Sequence, residues 1–259
     1  MRELRRFLVA LGYFTRLPIP AWVGWSVEEL DRAARYFALV GAVVGVFCAG
    51  VLWLALHWWA VPVAVAVSML ASVMLTGAFH EDGLADSADG FGGGYTAERV
   101  LEIMRDSRIG SFGALALVLV LLLKFASLCA LADGGWWRAA AALVCAHVLA
   151  RAAAVYVMRG LPHVRPDAAS RAKPVAQAPR AAELAVTVLT VVAVLALAYS
   201  AQVFGVVSLV AAVLAAFLCA EAARRWFAHR LGGYTGDCLG ATQQLAELAV
   251  YLALSASWR

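Results

Sequence analysis

Long apolar runs separated by short polar ones dominate the chain. A bilayer core of roughly 30 Å is crossed by about 20 apolar residues in a helix. Seven stretches meet or approach that length: 36–59, 60–79, 111–132, 136–158, 181–201, 203–223 and 239–256. The boundary at Ala201 and Gln202 is weak, so six or eight spans stay open beside seven. Trp58, Trp59 and Pro62 mark a tight turn between the first two spans, and Trp136 and Trp137 precede the fourth. Tryptophans at these places are interface anchors. Phe7 to Phe14 predicts an interfacial amphipathic helix, since the run is short for a secretory signal and meets Pro18 and Pro20. A cleavable signal is the alternative there. Ser26 followed by Glu29 reads as a capping box opening a helix that runs into the first span.

Composition agrees with the pattern. Of 259 residues 64% are apolar and only 15% charged, with mean hydropathy +0.81. A soluble fold of this size cannot hide that much apolar surface in one core. The expectation is a single all-α, polytopic integral membrane domain covering 1–259. Five scattered cysteines, without a C-x-x-C pair, suggest neither a zinc site nor a disulfide framework. The net charge of +4 is mild, but its placement is informative. With the N-terminus in the cytoplasm, the inside segments 1–35, 80–110, 159–180 and 224–238 hold 17 of the 21 Lys and Arg. Such asymmetry sets orientation. The inside loops are also the long, polar ones, so the chemistry is expected on the cytoplasmic face. No internal repeat of the transporter kind is evident. The bilayer is the expected partner, nucleic acid is not, and self-association is left open.

The segment 79–113 reads FHEDGLADSADGFGGGYTAERVLEIMRDSRIGSFG and carries seven of the chain's seventeen carboxylates. If the second span continues as a helix, Asp82, Asp86 and Asp89 fall at i, i+4 and i+7 on one face. Carboxylates that close repel and raise one another's pKa, and a divalent cation resolves the conflict. Oxygen donors without a His/Cys cluster favour Mg²⁺ or Mn²⁺ over zinc. The glycine-rich stretch Gly90 to Gly94, with Gly92 and Gly93 at its centre, is expected to be a turn that approaches a phosphate closely. Arg99, Arg105 and Arg108 follow, and guanidinium groups suit phosphate recognition. Together these features describe a pyrophosphate site at the membrane surface; a solvated acidic loop is the bland reading.

The strings HEDGLADSADGFGGG, IMRDSRIGSFG and GGYTGDCLGA, with TRLPIP and RYFALVGAVVG earlier, resemble the cobalamin synthases. These are the adenosylcobinamide-GDP ribazoletransferases. The likeness runs from about residue 7 to about residue 250. It implies a polytopic, Mg²⁺-dependent inner-membrane enzyme. In the implied reaction a ribose hydroxyl of α-ribazole, or of its 5′-phosphate, attacks the phosphate next to the aminopropanol of adenosylcobinamide-GDP. GMP leaves, and cobalamin or its 5′-phosphate forms. On that reading Asp82, Asp86 and Asp89 hold Mg²⁺ with Glu81 as a fourth ligand, and Arg105 and Arg108 stabilise developing charge. Asp106 or Asp89 accepts the hydroxyl proton. The loop 159–180 matches only loosely, at Arg165, Ser170, Lys173 and Pro174, with Lys173 a substrate contact.

Three further places stand out, two of them with two readings each. Gly232 to Asp237 precedes the last apolar run. Thr235, Gly236 and Asp237 there form either a substrate or second-metal contact or an N-cap turn. Arg151, inside the fourth span, is positioned to reach a phosphate in a polar cavity. Lys124, mid-span in the third, either serves function or pairs within the bundle. A CDP-alcohol phosphotransferase also uses an acidic DG motif. That pattern wants Ala-Arg after DG-x-x, whereas Asp86 and Ser87 follow DGLA here. A transporter would place carboxylates at the midplane, and the sequence concentrates them at one surface.

Overall fold

The structure, a computed structural model, describes residues 1–164 and 180–257. Its helices are α1 (Arg2–Phe14), α2 (Val27–Ala33), α3 (Phe37–Ala55), α4 (Val61–Thr76), α5 (Phe79–Gly93) and α6 (Ala97–Met104). They continue with α7 (Ser111–Asp133), α8 (Trp136–Gly160), α9 (Ala181–Ser200), α10 (Val206–Leu231) and α11 (Gly236–Ser255). Among the described residues there is no strand beyond one isolated bridge, His163 to Tyr234. The chain is an all-α, polytopic membrane bundle.

The helical segments Glu28–Ala55, Ser111–Asp133, Trp136–Gly160, Glu183–Ser200 and Val206–Leu231 are long and apolar enough to cross a bilayer. A sixth span results if α4 and α5 count together, but they meet at 88°. We therefore read α4 as the membrane segment and α5 as a helix lying across its C-terminal end. The expected seventh span became α11. It falls short of a span's apolarity because Gln243, Gln244 and Glu247 interrupt it, and these three side chains are buried in protein. Helix α8 is 78% buried over its apolar window while α9 is only 11% buried. Hence α8 and α11 form the centre, and α9 presents its Val and Leu side chains outward.

Glycine sets the tightest crossing. In α3, Gly41 and Gly45 lie one turn apart and face α8. A Cβ on Gly45 would stand 2.6 Å from the Val144 Cα, and one on Gly41 would run into the His147 carbonyl. Small residues at this spacing let two helix backbones approach within a membrane. At the opposite bundle edge Trp58, Trp59, Trp136 and Trp137 are exposed at the helix turns. Helix α1 is amphipathic as expected and packs Val9, Ala10 and Phe14 inward. Ser26 caps α2, its Oγ accepting the Glu29 N–H at 3.2 Å.

The segments that charge assigns to the inside converge at one end. The Arg16 N–H donates to the Leu75 carbonyl at 2.8 Å. Arg35 pairs with Glu183, and Arg230 Nη2 donates to the Gly94 carbonyl at 2.5 Å. Val164 N–H donates to the Tyr234 carbonyl at 2.8 Å, and Tyr234 N–H to Pro162 at 3.0 Å.

Two alanine substitutions on α3 test the crossing. Gly50 has nothing within 4 Å of a new Cβ, so Gly50→Ala should stabilise by roughly 0.5–1 kcal/mol through helix propensity. Gly45→Ala should destabilise by about 1–3 kcal/mol through overpacking against backbone. Thermal unfolding of both in one detergent decides it, and equal midpoints would contradict the crossing.

Candidate active site

Helix α4 ends at Gly77 (φ +68°), and Ala78 adopts φ +58°, so two left-handed residues turn the chain. Helix α5 then begins at Phe79 and carries the acidic string. What the sequence reads as a loop at 80–110 is mostly two helices, α5 and α6. The carboxylates do share a face, but the row runs inward: Asp82 is exposed, Asp86 half-buried and Asp89 buried. Gly83 brings a fourth carboxylate to them. A Cβ there would lie 3.1 Å from the Asp237 Cα and 3.2 Å from the Gly240 Cα, so α5 and the start of α11 touch backbone to backbone. Burial, and then the charges of Asp237, Asp82 and Asp89, push Asp86 up to about 7. Burial and the nearby Asp237 likewise push the Tyr13 phenol up to about 12.

Glu81 turns away from this group. It is buried, and its Oε1 accepts from Gln244 Nε2 at 3.0 Å inside the bundle. Asp89 is also engaged: its Oδ2 accepts the Gly110 N–H at 2.7 Å and its Oδ1 the Gly113 N–H at 2.9 Å. It thereby satisfies two orphan donors at the α7 N-terminus. Among the described residues no three His, Cys, Asp or Glu side chains close on a common point as a metal cage. Asp82, Asp86 and Asp237 are near enough to interact electrostatically without closing into a cage. That donor set suits magnesium, which is usually held by one or two carboxylates plus substrate phosphates.

Asp89, Gly93, Asp106, Arg108 and Gly110 line an open groove of about 440 Å³ beside α7. Asp106 and Arg108 form a fork, with Arg108 Nη2 to Asp106 Oδ2 at 2.5 Å and Nε to Oδ1 at 3.0 Å. The guanidinium holds the Asp106 carboxyl down at about 2. Arg105 is the exposed C-cap of α6. The glycine-rich stretch is not a phosphate-cradling turn. Gly90 to Gly93 are helical, and a Cβ on Gly90 would stand 2.7 Å from Met104, on Gly92 2.5 Å from the Phe112 ring. These glycines admit α6 and α7, because close packing with bulky side chains needs the missing Cβ.

At the other end of the site Thr235 is an N-cap, its Oγ1 accepting the Cys238 N–H at 3.2 Å. Gly236 lines a recessed pocket with Arg151. Lys173, Arg165, Ser170 and Pro174 lie outside the described residues. Lys124 pairs within the bundle, 3.0 Å from Glu247 Oε1 and 2.5 Å from Gln244 Oε1. His80, at the head of the acidic string, reads from sequence as either an interfacial residue or a ligand and is buried here; the sequence reading does not single out His147, Gln243 or Gln244. The signal for the glutamines was two adjacent amides inside an otherwise apolar run.

The description cobalamin-5-phosphate synthase belongs to the family model that matches residues 6–255. The chain belongs to the cobalamin-5-phosphate synthase family. Relatives named adenosylcobinamide-GDP ribazoletransferase include one from Leptothrix cholodnii, 49% identical over 97% of this chain and 95% of its own. Another, from Shewanella amazonensis, is 47% identical over 99% and 97%. A third, from Vibrio cholerae, is 45% identical over 98% and 94%. No solved structure matches the chain. The cobalamin-5-phosphate synthase match spans α1 through α11, so both halves of the acidic site fall inside it.

The raised Asp86 carboxyl has a consequence for stability. Its folded value, about 7, exceeds the ordinary 3.8, so the native state binds the proton more tightly and metal-free stability falls as pH rises from about 4 to about 7. Asp86→Asn removes that loss. In chelator, the variant should melt above the native chain at pH 8, with about 2–4 °C expected per 1 kcal/mol relieved, and level with it at pH 4. A variant that melts below the native chain at pH 8 would show that Asp86 is not under repulsion.

Proposed function

We propose that this chain joins α-ribazole, or α-ribazole 5′-phosphate, to adenosylcobinamide-GDP with release of GMP. The product is adenosylcobalamin or its 5′-phosphate. Family membership supports the reaction, and the meeting of Asp82 and Asp86 on α5 with Asp237 on α11 is the observation that carries the site. Asp82, Asp86 and Asp237 would hold Mg²⁺ together with the substrate pyrophosphate. When bound, the ion neutralises charge on the transferring and leaving oxygens. Asp89 organises α7 rather than joining the ion, and Glu81 serves the bundle interior.

Arg108 and Asp106 work as a pair in the adjoining groove. The Arg108 side chain is largely exposed and is able to turn from Asp106 to a phosphoryl oxygen. Asp106, released, returns towards the ordinary carboxylate range and accepts the proton of the attacking ribose hydroxyl. Arg105, exposed nearby, adds positive charge where negative charge develops. The enzyme resides in the inner membrane with this face towards the cytoplasm, a reading supported by the Lys and Arg asymmetry.

The test is direct. Purified protein in nanodiscs is mixed with adenosylcobinamide-GDP and α-ribazole phosphate, with and without Mg²⁺, and product and GMP are followed by mass spectrometry. The native chain should release one GMP per product only with the metal, and Asp82→Ala should lose at least about a hundredfold in rate. Product that survives Asp82→Ala would remove the metal site and keep the enzyme. Absence of product from folded, Mg²⁺-supplied protein would remove the reaction.

A further inference from the structure

Behind the acidic site lies a narrow, recessed pocket whose lining includes Tyr13, Phe14, Phe37, Phe79 and Met158. Its walls are mostly aromatic and apolar, and polar side chains enter from α5, α8 and α11. Arg151 is 1% exposed, Gln243 2% and His80 3%. Arg151 uses Nη1 on the His147 carbonyl at 3.2 Å. Its Nε and Nη2, the parallel pair of the guanidinium fork, have no hydrogen-bond partner, and neither do Gln243 Oε1 and His80 Nε2. Unpaired groups at such depth are costly, so their grouping on one pocket points to a ligand. Gly236, beside Asp237, is part of the same lining.

The unpaired atoms describe the ligand's edge. The fork offers two parallel donors. The Gln243 amide is fixed because its Nε2 donates to Glu247 Oε2 at 2.9 Å, which leaves the oxygen as an acceptor for the pocket. A ligand that satisfies both has two adjacent acceptors and a donor close by. A fully ionised phosphate, or the internal phosphate of a diphosphate, lacks the donor. It would also bring negative charge to a buried group in which Lys124 and Arg151 already face Glu247 and Glu81. The N-ribosylated benzimidazole of α-ribazole has one acceptor nitrogen and no ring donor. Guanine has O6 and N7 side by side, the pair that an arginine fork reads, with N1–H and the N2 amine beyond. It is flat and uncharged, and Phe14 with His80, stacked at 5.4 Å, gives it a face.

We infer that this pocket binds the guanine base of the nucleotide, with Arg151 reading O6 and N7, Gln243 accepting from the base's N–H edge, and aromatic side chains enclosing the ring. The inference rests on the guanosine nucleotide of the proposed reaction and adds how that nucleotide is chosen. The diphosphate then emerges past Gly236 towards Asp237, Asp86 and Asp82. Adenine presents an amine where guanine has O6, so its donor would face the donors of Arg151 and the base would be rejected.

The experiment uses GMP, IMP and AMP as probes on the full chain in nanodiscs with Mg²⁺, by equilibrium dialysis. GMP and IMP share the O6 and N7 edge, and both should bind the native chain at least about tenfold more tightly than AMP. This comparison needs no variant. Arg151→Lys keeps the charge and loses the fork, and it should level the three nucleotides. AMP binding the native chain as tightly as GMP, or a preference that survives Arg151→Lys, would overturn the pocket. So would competition between α-ribazole and GMP for the same space. Transfer from adenosylcobinamide-GDP in a preparation with no guanine preference would remove the pocket alone. An Arg151-dependent guanine preference in a preparation without transfer would support the pocket and remove the reaction.

Discussion

Helix α11 carries polar groups that lipid cannot satisfy, and the bundle is arranged around that constraint. Unmet hydrogen-bonding groups in hydrocarbon are expensive enough to decide where a helix goes. Gln244 stands between Lys124 of α7 and Glu81 of α5. Glu247 receives Lys124 at 3.0 Å, Gln243 at 2.9 Å and the Tyr251 hydroxyl at 3.1 Å. His147 of α8 stands 3.5 Å from the same carboxylate. Gln243 and Tyr251 belong to α11 itself, while Glu81, Lys124 and His147 come from three surrounding helices, so the depth and rotation of α11 are fixed together. Its first residues, Gly236 and Asp237, are thereby brought against Gly83 of α5.

The magnitudes separate positioning from net stability. A buried ion pair such as Lys124 with Glu247 need not stabilise the bundle beyond what apolar side chains of the same size would give, yet removing one partner costs about 3–5 kcal/mol. Exposed pairs such as Arg99 with Glu102 are worth about 0–1 kcal/mol. The interior pair therefore penalises every arrangement that separates α7 from α11, while the surface pair penalises almost none. The crossing of α3 with α8 at Gly41 and Gly45 acts alongside it, holding His147 and Arg151 at a close, fixed distance from α3. Active-site geometry at the membrane surface is thus set by contacts well inside the bundle.

Much of this was legible from residue order, and the rest was not for identifiable reasons. Five apolar spans, the amphipathic start, the Ser26 cap and the helical row of Asp82, Asp86 and Asp89 follow from local periodicity. Pairing of Lys124 within the bundle was one of two open readings, and its partner Glu247 lay in another stretch. The approach of Gly83 to Gly240 joins residues more than 150 positions apart, and no local pattern reports such a contact. The glycines from Gly90 to Gly94 misled for a related reason. A glycine that frees a loop and a glycine that admits a neighbouring helix look alike until Met104 and Phe112 are placed against them. Glu81 and Asp89 shared the composition of the acidic string, but burial gave each a different partner.

The site divides its work by dielectric. Phosphate charge is dear to desolvate, and the groups suited to it, Asp82, Asp86, Asp237 and Arg108, sit where water still reaches. The recessed pocket beneath has aromatic walls and one cation, Arg151, whose charge is already offset by the buried Glu247 and Glu81, a setting that accepts a neutral ring more readily than an anion. A nucleotide lying across that boundary has its base in the dry part and its diphosphate in the wet part. The turn at Gly77 and Ala78 creates the boundary, because it lays α5 across the end of the bundle instead of letting α4 run on into solvent. A straight continuation would have left the same aspartates on one helix face and parted them from Asp237.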